Sequence, residues 1–555
     1  MGLVDAMGTR FNRRAWGAFL AFVVLSSVWG VAAERVQVTV LATTDMHGNI
    51  MPVDYFTNRP ADRGLARVAT LIADARKSAP EAILIDCGDT IQGSPMAYYF
   101  ARKNSRLANP MMVAMNALGY EAMTIGNHEF NFGLSLIEKG RRESDFPWLS
   151  ANTYQTHSND KNLYTPYIIK EVSGVRVAIL GLTTPAIPNW EEPANYAGHE
   201  FRDPVAEAKK WVAHLRGEER ADVVVAAVHM GLEVDLRTGR AGLWNIPGEN
   251  TSVAIAEQVP GIDVMFMGHT HREVSGLVIN DVLMVQAGRW GDALARADLF
   301  LDSVDGGGWR IAARSGRTIP VTSQTATHPE IATLIEPYET ETQAWLGKTI
   351  GTCAAELIAT DSRLQDTAIL DLIQRVQLEA GGADVSFAAS FNLNARLPKG
   401  EVTVRDIAGL YVYENSLVVV EVTGAQIKAG LEHAARYFLP YEAGKSARDL
   451  IDTRQPGYNF DLAEGVDYTI DLTRETGDRI VDLTFRGEPL APDRKLKLAL
   501  NNYRVNGGGG YTMFRGAPVV WRSGTEIRDL IIDWVEKHGT VPAEPSNNWR
   551  ILPAP

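Results

Sequence analysis

Residues 36–47 read VQVTVLATTDMH. Apolar and polar residues alternate over Val36–Leu41, which is the period of a half-buried β-strand. Three polar residues, Thr44, Asp45 and His47, follow the strand at once. The same succession of an apolar run and a polar cluster recurs along the first half of the chain. It predicts a sheet whose strand ends carry the reactive side chains.

Five such clusters follow apolar runs. They are Thr44–His47, Asp86–Asp89, Gly126–Glu129, Val228–His229 and Gly268–His271. They hold five of the eleven histidines of the chain. A single histidine after a strand is more often a core or surface residue than a ligand, but five clusters in this order indicate a metal site. We expect all five at one edge of a sheet, around a shared crevice.

The types of side chain in the clusters narrow the chemistry. Structural zinc sites are often rich in thiolates, whereas Cys87 is the sole cysteine of the clusters. Imidazoles, carboxylates and an amide suit Mn, Zn, Co or Fe. Six or more candidate ligands exceed what one tetrahedral ion needs, so we expect two divalent ions that share a carboxylate. Such a pair, about 3.5–4 Å apart, stabilises the attacking and leaving oxygens of a phosphoryl group.

The pattern along the chain predicts two α/β regions. Further strands of the first region are predicted at Ile83–Ile85, Val175–Leu180, Val223–Val228, Val264–Met267 and Val282–Val285, with a helix over Leu65–Ala75. The polar segment His328–Leu346 predicts one exposed connector helix. The second region is predicted to contain helices at Thr367–Ala380 and Gly424–Phe438 and strands at Val385–Ala388, Leu417–Val422, Tyr468–Leu472 and Leu496–Leu500.

The N-terminus has the features of a signal peptide. Arg10, Arg13 and Arg14 precede the apolar run Ala15–Gly30, and small residues follow at 31–33. We predict a signal peptide over residues 1–33 and export to the periplasm or the exterior; a membrane anchor is the alternative. The pair Arg13–Arg14 also leaves twin-arginine export open beside the general secretory route.

The net charge and the number of cysteines limit the binding partners and the disulfides that the chain is expected to have. The net charge of −13 argues against binding of a nucleic-acid polymer, which needs a basic surface. Two cysteines are few for an exported protein that depends on disulfides, and Cys87 lies in an apolar run, so we expect no Cys87–Cys353 bond. The negative charge does not argue against a small nucleotide substrate, because bound metal ions can supply positive charge where a phosphate lies. We predict no permanent membrane anchor and no protein partner.

The clusters make the chain resemble the metallophosphatase superfamily, within it the exported 5'-nucleotidase family, and there the bacterial 2',3'-cyclic-nucleotide 2'-phosphodiesterase/3'-nucleotidase group. Supporting stretches are Ala42–Asp45, Ile91–Pro95, Tyr458–Asp461, Asn501–Arg504 and Asn547–Arg550. The resemblance implies a calcineurin-like layered β-sandwich with flanking helices over 34–327. It further implies a connector helix over 328–350 and a C-terminal α/β nucleoside-binding domain over 351–555.

The resemblance also implies roles for the clustered residues. One ion would be held by Asp45, His47, Asp89 and His271. The other would be held by Asp89, Asn127, His229 and His269, with Asp89 bridging. His128 would stabilise charge or protonate the departing oxygen. The 5'-nucleotidases have an aspartate at the position of Asn131, which orients this histidine, and the cyclic phosphodiesterase group tends to have asparagine.

In the second domain, the family stacks the base between two aromatic rings. The matching positions are Tyr413 and Tyr503, each with core packing as the alternative, and Asn415 and Asn392 are candidates for polar contacts. The 5'-nucleotidases carry an acidic residue near Gly509. The implied activity is hydrolysis of ribonucleoside 2',3'-cyclic phosphates to 3'-nucleotides and of these to nucleoside and phosphate. The alternatives are a 5'-nucleotidase or nucleotide-sugar hydrolase, a dimanganese sulfur-carrier hydrolase, and a non-catalytic binding protein.

Overall fold

The computed structural model describes residues 34–158, 160–235, 240–241 and 246–554. The predicted signal peptide lies outside the described residues. None of the helices in the described part of the chain is long and apolar enough to cross a membrane. Cys87 and Cys353 are both free and both buried, and the burial of Cys87 was predicted.

Two six-stranded sheets face each other in the first half of the chain. In spatial order, the first sheet contains Trp309–Pro320, Ala293–Ser303, Arg35–Thr43, Ile83–Asp86, Ala122–Thr124 and Trp148–Leu149. The second contains Glu273–Ile279, Val282–Ala287, Val264–Met267, Val223–His229, Val175–Thr183 and Tyr167–Val172. Arg35–Thr43 pairs in parallel with Ile83–Asp86 and antiparallel with Ala293–Ser303. Each predicted strand is present, extended by up to three residues at its ends.

The core between the sheets follows from the alternation of side chains along each strand. Val38, Val40 and Ile85 of the first sheet pack against Val225 and Phe266 of the second. The side chains that alternate with these point outward and pack under helices. The helices beside the two sheets are Leu65–Ser78, Pro95–Tyr98, Pro110–Leu118, Leu134–Glu143, Pro204–Gly217 and Ser252–Gln258. The fold is therefore the predicted sandwich with flanking helices.

The helix predicted between the two halves spans Pro329–Leu346. The expectation that it is simply exposed was wrong, because Ile331 and Ile335 are fully buried in the main hydrophobic core. The hydroxyl of Tyr55 also donates to the Glu339 carboxylate at 2.6 Å. The charged face that the sequence displays is therefore one side of a packed helix.

The second half contains three further sheets. A five-stranded sheet has the order Asp461–Glu464, Val385–Ala389, Lys495–Asn501, Ser416–Thr423 and Val519–Glu526. A four-stranded sheet has Glu488–Pro489, Ile480–Phe485, Asp467–Asp471 and Trp549–Leu552, and a three-stranded sheet has Gly400–Thr403, Thr349–Cys353 and Thr540–Val541. The helices are Ala368–Gly381, Val404–Leu410, Gly424–Ala434, Asn502–Val505 and Ile527–His538. The helix predicted to reach Phe438 ends earlier, and a 3₁₀ turn follows at Ala435–Tyr437.

Short two-stranded ribbons decorate both halves. They are Val53–Asp54 with Arg59–Pro60, Thr153–Gln155 with His199–Phe201, Val234–Asp235 with Arg240–Ala241, and Leu357–Ile358 with Arg396–Leu397.

A buried polar chain joins the two halves. Gln92 donates through its side-chain amide to Glu414, and Arg528 donates to the other oxygen of Glu414 at 3.1 Å. The side chains of Glu414 and Arg528 are 2% and 1% exposed. The backbone carbonyl of Gln92 accepts from His47 Nδ1–H, so this contact connects the second domain to the clustered residues.

Candidate metal centre and active site

The five polar clusters converge, but they come from two sheets. The first three follow strands of the first sheet, whereas His229 ends a strand of the second sheet and His269 and His271 follow another. The expectation of a single sheet edge was therefore wrong. The two sheets of the sandwich end at the same place, so loops from both reach one crevice.

The loops that carry the clusters have unusual backbone conformations. Asp45, His47, Asp89, His269 and His271 all have positive φ, between 47° and 72°. Non-glycine residues rarely adopt this conformation, and such strain is concentrated at functional sites. Gly126 permits the closest approach, since a Cβ there would lie 2.2 Å from Asp89 Oδ1. These backbone conformations cost conformational free energy, and they bring the five side chains together at one place.

Three of the imidazoles are fixed by a hydrogen bond from one ring nitrogen. His47 Nδ1–H donates to the Gln92 carbonyl at 2.9 Å, and His229 Nδ1–H donates to the Cys87 carbonyl at 2.7 Å. His269 Nε2–H donates to Glu249 Oε1 at 2.9 Å. In each ring the other nitrogen is the one left to bind a cation, which it does in its unprotonated form. This is the arrangement by which proteins orient metal-binding histidines.

His271 is held differently. Its Nε2 lies 3.0 Å from His47 Nε2 and 3.4 Å from Asp45 Oδ1. Its Nδ1 lies 3.2 Å from Arg289 Nη1, an atom that can only donate. The proton of a neutral His271 is therefore on Nε2 here, and binding a cation through Nε2 requires the other tautomer and a shift of Arg289.

Two buried carboxylates lie between the imidazoles. Asp45 accepts the backbone N–H of His269 at 3.0 Å. Asp89 accepts the backbone N–H of His128 at 2.8 Å through Oδ1, and its Oδ2 lies 3.0 Å from His229 Nε2. Asn127 Oδ1 lies 3.2 Å from the same nitrogen of His229.

The crowding shifts the protonation of these groups. Burial raises the pKa of Asp45 to about 7. Burial also opposes the charges on Asp89 and His229, but their mutual attraction outweighs it, so the pKa of Asp89 lies well below its usual range and that of His229 rises to about 10. Burial and neighbouring histidines lower the pKa of His47 to about 3 and that of His271 to about 2. These two imidazoles are thus neutral at pH 7, as metal ligands must be.

The residues fit divalent cations. The potential ligand atoms form two groups, and within each group all atoms lie within 4.8 Å of one another. One group contains Asp45, His47 and His271, and the other contains Asp89, His229 and His269. A third group contains His47, Asp89 and His128. Asn127 lies beside the second group. The structure thus brings all seven predicted ligands to one place, and their individual roles stay predictions.

The predicted proton donor, His128, lies at the open side of the cluster. Its Nε2 is 3.9 Å from Asp89 Oδ2, and its side chain is 35% exposed. Its Nδ1 lies 2.6 Å from Asn131 Oδ1, and Asn131 Nδ2 donates to Glu191. Burial lowers the proton affinity of His128, but Asp89 and the Asn131 hydrogen bond outweigh it and raise its pKa.

Sequence reasoning missed two acidic residues beside the metal ligands. Glu129 is fully buried and accepts the backbone N–H groups of Asp89, Thr90 and Gly126 at 2.6–3.0 Å, so it shapes the Asp89 loop. Glu249 fixes His269. Glu129 belongs to the predicted cluster Gly126–Glu129, whereas the position of Glu249 before an apolar helix gave no signal of its contact with His269.

A cavity of about 1510 Å³ adjoins the cluster between the two halves of the chain. Glu249 and Trp190 line it from the first domain, and Tyr503 and Tyr458 line it from the second. Gly508 packs under the Tyr503 ring, since an added Cβ would lie 2.5 Å from it. The predicted ring Tyr413 is 43% exposed and meets Tyr458 edge-on at 6.4 Å between centroids. Tyr458 was not predicted as a site residue, although it begins the stretch Tyr458–Asp461 that supports the family resemblance.

The two predicted asparagines make contacts with other segments of the second domain. Asn392 donates through Nδ2 to the Gly409 carbonyl at 2.8 Å and accepts the Asn394 amide N–H at 3.0 Å. Asn415 accepts the Ile527 amide N–H through its backbone carbonyl at 2.8 Å. Their contacts with a nucleoside stay predictions.

Comparison with known proteins agrees with this architecture. Residues 38–273 match the calcineurin-like phosphoesterase family, and residues 347–516 match the 5'-nucleotidase C-terminal domain. A Yersinia enterocolitica 2',3'-cyclic-nucleotide 2'-phosphodiesterase/3'-nucleotidase is 32% identical, and the matched region covers 98% of this chain and 92% of the relative. The trifunctional nucleotide phosphoesterase protein YfkN of Bacillus subtilis is 30% identical, and the matched region covers 94% of this chain but only 39% of that protein.

Solved structures match the whole fold. A Staphylococcus aureus protein crystallised in complex with alpha-ketoglutarate superposes with a TM-score of 0.81 and is 27% identical, covering 93% of this chain and 100% of that chain. The sandwich and its cluster define a metal-dependent phosphoric ester hydrolase. The chain belongs to the 5'-nucleotidase family of metallophosphatases, in the group of the 2',3'-cyclic-nucleotide 2'-phosphodiesterase/3'-nucleotidases.

Proposed function

We propose that the protein hydrolyses ribonucleoside 2',3'-cyclic phosphates to 3'-nucleotides, and these to nucleoside and phosphate. The observation that carries the proposal is the set of three imidazoles with one nitrogen bound to a protein acceptor and the other turned toward shared carboxylates. The names of the relatives in the same group support the substrate class.

Two divalent ions are part of this proposal. Asp45, His47, Asp89 and His271 would hold one, and Asp89, Asn127, His229 and His269 the other. When bound, the ions supply Lewis acidity to the phosphoryl oxygens and lower the pKa of water. Their identity is left to metal analysis, because imidazole and carboxylate ligands suit Mn, Zn, Co and Fe alike.

The chain's own residues orient the substrate and move one proton. Tyr503 stacks on the base at the cavity wall, with Tyr413 as the second ring. Water attacks phosphorus and releases a proton to the solvent, and the ester bond to the 2'-oxygen breaks. His128 gives the proton on Nε2 to that departing oxygen and then takes up another from the solvent. In the second step water attacks phosphorus again, the same histidine protonates the 3'-oxygen, and nucleoside and phosphate leave.

We also propose that the enzyme is exported from the cytoplasm. The predicted signal peptide at 1–33 places the enzyme in the periplasm or outside the cell, where nucleotides are degraded before uptake of the nucleoside. This location is tested by sequencing the N-terminus of the protein recovered from the periplasmic and culture fractions. A mature chain beginning at Glu34 supports it, and a cytoplasmic chain that retains residue 1 contradicts it.

A substrate panel tests the activity. Purified protein with Mn²⁺ is assayed on 2',3'-cyclic AMP, 3'-AMP, 5'-AMP, a nucleotide sugar and p-nitrophenyl phosphate. We expect turnover of the first two and of the aryl ester. If 2',3'-cyclic AMP and 3'-AMP stay intact, the proposal fails. A preference for 5'-AMP or the nucleotide sugar would instead identify the alternative on the same fold.

A further inference from the structure

A chain of hydrogen bonds leads away from the predicted proton donor. His128 Nδ1 lies 2.6 Å from Asn131 Oδ1, and Asn131 Nδ2 donates to Glu191 Oε1. Because the amide nitrogen of Asn131 faces a carboxylate, its oxygen faces the imidazole, so His128 Nδ1–H is the donor. The proton that His128 delivers is therefore on the other nitrogen, Nε2, which points to the metal cluster.

Glu191 is buried and hydrogen-bonded through both carboxylate oxygens. It is only 4% exposed, and its second oxygen accepts from Asn195 Nδ2 at 3.0 Å. Burial raises the pKa of Glu191 to about 7, against the two amide hydrogen bonds that favour its charge, so the carboxylate is ionised above this pH. The residue lies between two 3₁₀ turns, Ile187–Asn189 and Pro193–Tyr196, so its backbone is fixed on both sides.

We propose that Glu191 is a positioning residue for His128, acting through Asn131 and therefore resting on the function proposed above. Its charge holds the Asn131 amide in the orientation that accepts the Nδ1 proton. Charge-assisted hydrogen bonds are about twice as strong as neutral ones, and linked hydrogen bonds polarise one another. The His128 ring is thereby held with Nδ1 bonded to Asn131 and Nε2 facing the metal cluster, where the departing oxygen would lie.

Loss of the Glu191 charge should change the orientation of the Asn131 side-chain amide. A released Asn131 side chain can turn over and present Nδ2–H to His128 Nδ1. That contact favours the neutral imidazole with an unprotonated Nδ1, which is a poor acid. The metal ligands are untouched by this change, because neither Glu191 nor Asn131 contacts one of the seven predicted ligands through its side chain.

The dependence on the leaving group separates this role from a merely structural one. An alkoxide such as the 3'-oxygen of a nucleoside needs a proton as it departs, whereas p-nitrophenolate leaves without one. A defect in proton donation therefore slows 3'-AMP and spares p-nitrophenyl phosphate. A distorted site slows both.

The test compares Glu191→Gln with Glu200→Gln, an exposed glutamate whose carboxylate pairs with Arg202 at the surface. We expect Glu191→Gln to lower kcat for 3'-AMP about 10- to 100-fold, as loss of a carboxylate that orients a histidine does. KM, metal content and kcat for p-nitrophenyl phosphate should stay within about twofold of the wild type, and Glu200→Gln should change nothing. Equal losses on both substrates, loss of metal, or no loss at all would overturn the proposal.

A double variant gives an independent check. Asn131→Asp in the Glu191→Gln background places a carboxylate directly against His128 Nδ1 and should recover at least tenfold of the lost turnover of 3'-AMP. Absence of recovery contradicts the inference. If the wild type cleaves 5'-AMP and not 3'-AMP, the proposed function fails, but the same comparison made with 5'-AMP still decides on Glu191.

Discussion

At the metal centre, Asp45 and Asp89 are 0% and 1% exposed, whereas Tyr413 and Tyr458 of the second domain are 43% and 39% exposed. The side chains of the centre are fixed by short hydrogen bonds to backbone carbonyls and to Glu249. The two exposed rings meet only edge-on. The side chains of one region are thus held by hydrogen bonds, whereas Tyr413 and Tyr458 are half-exposed and meet other rings edge-on.

This difference teaches where each property of the enzyme is determined. Phosphoryl transfer requires charges preorganised at fixed positions, because reorganisation during the reaction raises the barrier. Base stacking tolerates different bases and needs only a ring within reach. We therefore expect substitutions at the centre to abolish turnover and substitutions at the aromatic wall to weaken binding by modest factors.

The largest effect is expected for Asp89→Asn. Asp89 faces both groups of potential ligands, so its loss should remove the metal and the activity together. We expect kcat to fall about 10⁴-fold or more, because the ions supply several kcal/mol of charge stabilisation. Metal analysis and the rate with 3'-AMP measure both effects, with Asp281→Asn on the surface as the control. An active variant with full metal content would show that Asp89 is not a shared ligand.

His128→Ala should separate chemistry from metal binding. The predicted donor is 35% exposed and lies 3.9 Å from Asp89, so its removal leaves the cluster intact. We expect full metal content and a loss of about 10²- to 10⁴-fold in turnover of 3'-AMP, the usual contribution of a general acid. The exposed His157→Ala is the control. Loss of metal in the His128 variant would make this histidine a ligand and overturn its assigned role.

The same contrast explains what the sequence could and could not predict. The cluster residues were predictable because strand patterns are local and because five polar clusters after strands in this order indicate a metal site, although each cluster alone is weak evidence. The tyrosines at 413 and 503 were named only through family resemblance, because an isolated tyrosine carries no local pattern. The fold was predictable at the level of strands and helices, and most ends were right within three residues.

Contacts between distant segments were not predictable. Glu191 and Glu249 are ordinary glutamates in the sequence, and only the fold brings them to Asn131 and His269. The division of the clusters between two sheets depends on how strands pair, which the order of the strands along the chain does not reveal. The helix Pro329–Leu346 shows acidic residues in sequence, although its other face is buried in the core.

Glu249→Gln tests how far the rigidity of the centre depends on its outer hydrogen bonds. The carboxylate orients the His269 ring through the hydrogen bond to Nε2, so the variant should bind metal about 10- to 100-fold more weakly. At saturating Mn²⁺ the turnover should return to within a few-fold of the wild type. Titration of the metal-stripped protein with Mn²⁺ measures this, with the exposed Glu257→Gln as the control. Unchanged affinity would mean that backbone contacts alone hold His269.

Tyr503→Ala should act on binding and not on chemistry. Stacking on a base contributes about 1–3 kcal/mol, so KM for 3'-AMP should rise about 5- to 150-fold. Hydrolysis of p-nitrophenyl phosphate should be spared, because its small ring does not reach the nucleoside site. Steady-state kinetics with both substrates measure the split. A parallel loss on the aryl ester would place Tyr503 in the core packing of the domain instead.

The smallest effect is expected for Tyr458→Ala, and it examines whether the aromatic wall acts as a unit. Tyr458 meets Tyr413 edge-on, and an aromatic pair of this kind contributes about 0.5–1.5 kcal/mol. KM for 3'-AMP should therefore rise about 2- to 10-fold. If Tyr458 acts by supporting Tyr413, the double variant with Tyr413→Ala should bind no worse than Tyr413→Ala alone, since the support is useless without the ring. Additive losses would instead mean that Tyr458 contacts the nucleoside itself, and the adaptable side of the site would then have three stacking rings where the family pattern has two.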